Sequence, residues 1–99
     1  MKYVGNAFSL GMVPRELLGR VRLSPCDAPD VSGLVSCVGH ADTAAVLGVE
    51  MRRVSVTLQP GDVLFVAQLT GGRLQEGCTT LPEGFRFSWV KVEINNECL

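Results

Sequence analysis

Ninety-nine residues, 46% of them hydrophobic and 19% charged, suit one domain over residues 1–99 with a single core, and argue against a disordered or solvating segment. A net charge of −1, from nine basic and ten acidic residues, lacks the broad positive field with which proteins hold long nucleic acid, but leaves room for a local site that takes a few phosphates. No apolar run approaches the roughly 20 residues of a membrane span, so no membrane partner is expected.

Residues 2–8 are apolar enough for a first strand, which ends in Asn6-Ala7-Phe8-Ser9 and so exposes polar side chains at a sheet end. Pro14 opens a turn or short helix through Leu18, and residues 19–23 alternate apolar with basic in the manner of a half-buried strand. Residues 24–32, with two prolines and two aspartates, read as loop. A brief apolar run over 33–38 then meets Gly39-His40, and residues 41–47 up to Gly48 read as a short helix with a glycine stop. His40 is thereby predicted at a helix start, where unpaired N–H groups favour anions.

Residues 52–58 and 63–69 flank Gln59-Pro60-Gly61-Asp62, a type II turn sequence, and so predict a hairpin. The second of these runs is almost wholly apolar, as a central strand covered on both faces would be. Residues 70–84 are polar and glycine-rich, a candidate lid, with one helical turn expected over 81–85. The last strand, 85–94, carries Phe85, Phe87 and Trp89 on one face and Val90, Val92 and Ile94 on the other, so both faces must meet apolar partners. The elements sum to an α+β domain built on a mixed sheet of about five strands flanked by short helices.

Four cysteines, Cys26, Cys37, Cys78 and Cys98, lie at wide, irregular spacings, and the chain has a single histidine. That pattern gives no zinc cage, and without a signal-peptide-like N-terminal segment it reads as reduced thiols in a cytoplasm. The hydrophobic fraction is high for so small a monomer, which points to a partner subunit covering part of the surface.

Most reaction classes lack their parts here: there is one histidine, no paired metal-ligating carboxylates and no phosphate-cradling glycine loop. Phosphodiester cleavage in RNA needs fewer, because the ribose 2′-OH is itself the nucleophile. A histidine can protonate the leaving oxygen, and an arginine can stabilise the charge. On residue chemistry alone, though, a lone histidine at a turn is more often a polar surface residue. Arg52, Arg53, Arg73 and Glu76 are by default solvated, Asn6 and Ser9 are ordinary turn residues, and Trp89 is more often core than a stacking platform.

Three blocks occur together: Asn6-Ala7-Phe8-Ser9 after the first strand, Gly39-His40 with Thr43 opening a helix, and Arg73-Leu74 with Glu76-Gly77 after a central strand. Their order and spacing resemble, over most of the chain, the viral ring nuclease family that acts as type III anti-CRISPR proteins, which also has cellular and prophage members. The resemblance implies a symmetric homodimer that binds one cyclic tetra-adenylate across its two-fold axis. It implies cleavage to linear di-adenylate with 2′,3′-cyclic phosphate ends, without metal or cofactor, so as to switch off type III CRISPR second-messenger signalling.

By the same resemblance His40 is the general acid, Arg73 stabilises the scissile phosphate and Glu76 orients its neighbours. Asn6, Ser9, Thr43, Arg53 and Gln68 are implied as ligand contacts, with Arg52 close enough to take the place of Arg53. Two segments depart from the family pattern: Ala41-Asp42-Thr43 stands where Asp-Ser-Thr is usual, and Gly71-Gly72 replaces bulkier residues in a stretch one residue longer. Two other classes of function stay open: a dimer that sequesters a cyclic oligonucleotide without cutting it, and a regulatory or structural dimer with no nucleotide ligand.

Overall fold

The computed structural model describes residues 1–72 and 80–95. Five strands, β1 (Lys2–Gly5), β2 (Val21–Cys26), β3 (Val35–Ser36), β4 (Val63–Thr70) and β5 (Arg86–Ile94), form one sheet in the order β2-β5-β4-β1-β3. One α-helix, α1 (Ala41–Leu47), follows β3, and 3₁₀ turns cover Leu10–Met12, Arg15–Arg20 and Val31–Gly33. The sheet is mixed: β1 runs parallel to both β3 and β4, whereas β5 is antiparallel to β2 and β4. The α+β class, the five-stranded mixed sheet and the short helical elements are those expected from the sequence.

Alternation along β4 and β5 divides the interior. Leu64, Val66, Val92 and Ile94 point to one face and join Val13 and Leu58 in the main buried cluster, with Phe8, Met12, Leu17 and Val56 packed against it. The 3₁₀ turns after β1 therefore cover this face. Val4 and Ala67 lie on the opposite face and are also buried, as are Val38 and Ala44. A strand flanked on each side by another, with apolar residues at both phases, is what the near-continuous apolar run of β4 encodes. On that second face Phe87 and Trp89 are only half-buried, with ring centroids 6.2 Å apart and tilted by 55°.

The helix bounds follow from local punctuation. His40 is the extended N-cap residue (φ −116°, ψ 121°), and its carbonyl accepts from Ala44 N–H at 3.0 Å. Gly48 ends the helix at φ +75°, a left-handed conformation that L side chains rarely adopt, and Val49 N–H returns to the Ala44 carbonyl at 3.0 Å.

Three expectations are corrected. Residues 52–58 form no strand, and no hairpin joins them to β4. The positions beside β4 are filled by β1 and β5, so this segment crosses outside the ladder, held by Arg52 N–H to the Val38 carbonyl (2.9 Å) and Leu58 N–H to the Met12 carbonyl (2.7 Å). The second strand extends through Cys26 into the expected loop, because β5 is long enough to pair with it as far as Trp89. No helix forms over 81–85, where Phe85 N–H bonds the Pro82 carbonyl at 3.1 Å in a single turn. Of the candidate lid over 70–84, residues 73–79 lie outside the described residues.

Candidate functional site

The first strand stops at Gly5, and Asn6 then turns its side chain toward the segment that leaves β3. Asn6 Oδ1 accepts from Gly39 N–H at 3.1 Å, a bond between residues 33 apart in sequence. From the far side of α1, Arg53 Nε–H donates to the Gly39 carbonyl at 2.9 Å. Three chain segments thus meet on one glycine, and the next residue is His40.

Around this junction lies a cleft of about 530 Å³ whose lining includes Asn6, Ser9, Cys37, Gly39, Arg53 and Ser55. It opens beyond the carboxyl ends of the parallel strands β1 and β3, the end of an α/β sheet at which loops present backbone and side-chain polar groups to ligands. Hydroxyl, amide and guanidinium side chains line it together with aliphatic groups and a thiol. Such a lining suits an anion attached to an apolar or aromatic body.

Cys37 lines the cleft, half-buried, with its thiol donating to the Val4 carbonyl at 3.3 Å. Burial pushes that thiol above its usual range, so at neutral pH it is the protonated, unreactive form. Gly5 lies directly beneath: a Cβ there would stand 3.0 Å from Cys37 Sγ and 3.4 Å from Leu64 Cδ1. Backbone and thiol approach closely because position 5 carries no side chain.

The structure thus brings together three residues that the sequence had singled out, Asn6, Ser9 and Arg53, and sets the exposed His40 directly after cleft-lining Gly39. Arg53 rather than Arg52 belongs to this cleft; Arg52 lines a separate depression with Glu50, Val31 and Gly48. Thr43 is only 7% exposed, buried in α1, and is not among the cleft-lining residues. Gln68 is exposed at the end of β4 and lines another cavity, of about 410 Å³, with Phe8, Leu23, Pro25, Val66 and Val90. The two cavities have neighbouring walls, since Phe8 lines one while Ala7 and Ser9 line the other. Arg73 and Glu76 lie outside the described residues.

Sequence reasoning missed Cys37 and Ser55 as cleft residues. Ser55 was hidden by the expectation of a strand over 52–58, and nothing in the local sequence marks Cys37. Among the described residues no three His, Cys, Asp or Glu side chains are grouped to hold a metal ion, and no helix is long and apolar enough to cross a membrane.

Comparison with known proteins places the chain beside a family model and solved structures. A family model described as STIV B116-like matches residues 3–87. Among solved structures, B116 of Sulfolobus turreted icosahedral virus superposes with a TM-score of 0.72 at 21% identity, covering 93% of this chain and 97% of that one. At that identity the likeness is one of fold. No curated protein matches the chain.

Proposed function

The chain belongs to the STIV B116-like family, and on that footing we propose that it is a metal-independent ring nuclease that opens cyclic tetra-adenylate as a symmetric homodimer. The observation that carries the reading is the cleft in which Asn6, Ser9 and Arg53 meet around Gly39, one residue before His40. A four-membered ring has a two-fold axis that a symmetric dimer can share, so two such clefts can act on one ligand.

In this reaction the ribose 2′-oxygen forms a bond to the adjacent phosphorus and loses its proton to solvent, while the bond from phosphorus to the 5′-oxygen breaks. His40 as imidazolium gives its proton to that leaving oxygen. The negative charge that builds on the phosphoryl oxygens calls for cationic and N–H donors, a role that Arg53 can serve from the cleft and that the family resemblance gives to Arg73. Glu76, on the same resemblance, orients these groups; Thr43, buried in α1, and Gln68, in the neighbouring cavity, are ligand contacts by the resemblance alone. Two cleavages of the ring yield two linear di-adenylates, each ending in a 2′,3′-cyclic phosphate, and the signal that activates type III CRISPR effector nucleases is removed in the cytoplasm.

The test is incubation of labelled cyclic tetra-adenylate with the protein in EDTA, comparing wild type with His40→Ala. Conversion to linear di-adenylate by wild type, with most turnover lost in the variant but binding retained, is the expected result. Binding without conversion would move the reading to a sequestering protein, and equal cleavage by His40→Ala would remove His40 from the mechanism.

A further inference from the structure

We propose that Asn6 and Arg53 form a two-sided clamp on Gly39 that fixes the direction of His40, making Asn6 a positioning residue instead of a ligand contact. The inference rests on the reading of His40 as general acid and adds to it how the imidazole is held.

Glycine directly before a reactive residue is a mechanical weakness, since it has the widest backbone freedom of any residue. Gly39 does not adopt a left-handed φ, and a Cβ there would meet only the Arg53 Cγ, at 3.5 Å, an ordinary contact. Neither backbone geometry nor crowding therefore restrains it. Two side chains do. Asn6 Oδ1 takes the N–H of the peptide entering Gly39 at 3.1 Å, and Arg53 Nε–H takes the carbonyl of the peptide leaving it at 2.9 Å. With the planes of both flanking peptides fixed, the φ and ψ of Gly39 are fixed, and so is the path on which His40 leaves.

The anchors are themselves rooted. Asn6 follows directly on β1, the strand with a parallel neighbour on each side, and Arg53 follows Arg52, whose N–H is bonded to the Val38 carbonyl at 2.9 Å. The side chain of His40 makes no capping hydrogen bond to α1, so the backbone carries its orientation. Asn6 spends its carbonyl oxygen on Gly39, and the bond from Arg53 uses Nε, one of the five N–H donors of its guanidinium.

Backbone ¹⁵N relaxation of the free protein and single-turnover cleavage of cyclic tetra-adenylate test this together, with dissociation constants measured in a His40→Ala background. In wild type the Gly39 amide should be as ordered as the strands. Asn6→Ala should loosen it and slow cleavage by ~10- to 100-fold while leaving the dissociation constant unchanged. Asn6→Asp keeps the acceptor and should keep the Gly39 amide ordered, whereas Asn6→Leu, close in size but without an acceptor, should loosen it; that contrast carries the test should Asn6→Ala fail to fold. Arg53→Lys keeps the charge but removes the Nε donor and should likewise lower the order of the Gly39 amide. Weaker binding by Asn6→Ala at an unaltered single-turnover rate, or an unchanged Gly39 order parameter, would overturn the clamp. Absence of cleavage by wild type would instead defeat the ring nuclease reading, while the relaxation data would still decide whether Gly39 is clamped.

Discussion

A Cβ on Gly71 would stand 3.0 Å from the Cα of Phe85 and 2.7 Å from the carbonyl oxygen of Gly84. Gly71 follows the last paired residue of β4, Thr70 opposite Arg86, so the close approach seals the open end of the β4–β5 ladder. Its φ of +111° is also outside the range of L side chains. Gly71→Ala is therefore expected to destabilise the protein by about 1–3 kcal/mol, read as a lower midpoint in urea unfolding. An unchanged midpoint would mean that the strand ends separate easily.

Gly5→Ala should cost about 1–2 kcal/mol, because the new methyl must displace Cys37 Sγ from 3.0 Å. Removing that sulfur relieves the conflict, so in Gly5→Ala/Cys37→Ala the two changes should compensate in part. A double-mutant cycle by thermal unfolding measures the coupling; strict additivity would place the strain elsewhere.

Leu58 is fully buried although it belongs to no strand or helix. It fills the main cluster beside Leu64, Val66 and Val92, so Leu58→Ala should lose about 2–5 kcal/mol, as truncations in regular core elements do. Denaturant unfolding checks this against exposed Val54, 49% accessible in the same segment, whose truncation should change little.

Asp62 joins the turn before β4 to the N-terminus: its Oδ1 accepts from the Met1 ammonium at 2.8 Å and its Oδ2 from Gln59 N–H at 3.0 Å. Desolvation acts to raise its pKa, but the ammonium hydrogen bond, the Gln59 N–H and the ammonium charge together outweigh it and hold the carboxyl below its usual range. A lowered folded-state pKa stabilises above the unfolded value of about 3.9, and that contribution is lost as pH falls through the folded value. Asp62→Asn should cost about 1 kcal/mol at pH 7 and should flatten the fall in stability on acidification below pH ~4. Parallel unfolding series at several pH values would reveal the difference.

What could be read from the sequence was local. The run from His40 to Gly48 carries its own start and stop signals, and α1 forms between them. The two phases of apolar residues in β5 and the continuous run of β4 likewise foretell strands covered on both sides. The failure at 52–58 has a physical cause: Val54, Val56 and Leu58 alternate as a strand would, but whether a segment enters a ladder depends on which edge is free. Here β1 has taken that edge by parallel pairing, with Lys2 opposite Val63, an association that no local spacing announces. The site was legible in part for the same reason. Asn6, Ser9 and Arg53 are polar residues at turns and could be singled out, but their meeting on Gly39 depends on the order of strands.

The placement of β1 between two parallel partners also bears on the route by which the chain folds. The β4–β5 pair is antiparallel and close in sequence, so it can zip early, whereas β1 must find β4 across about sixty residues of intervening chain. Asn6 follows β1 directly, so its bond to Gly39 is secure only once that strand is held in the sheet. The junction beside His40 is thus expected to assemble late in refolding and to open early under mild denaturant, before the β4–β5 pair separates. Order at Gly39 would then be lost at denaturant concentrations where the β4–β5 pair is still intact, and the Gly39 amide would report on whether β1 has found its place between β3 and β4.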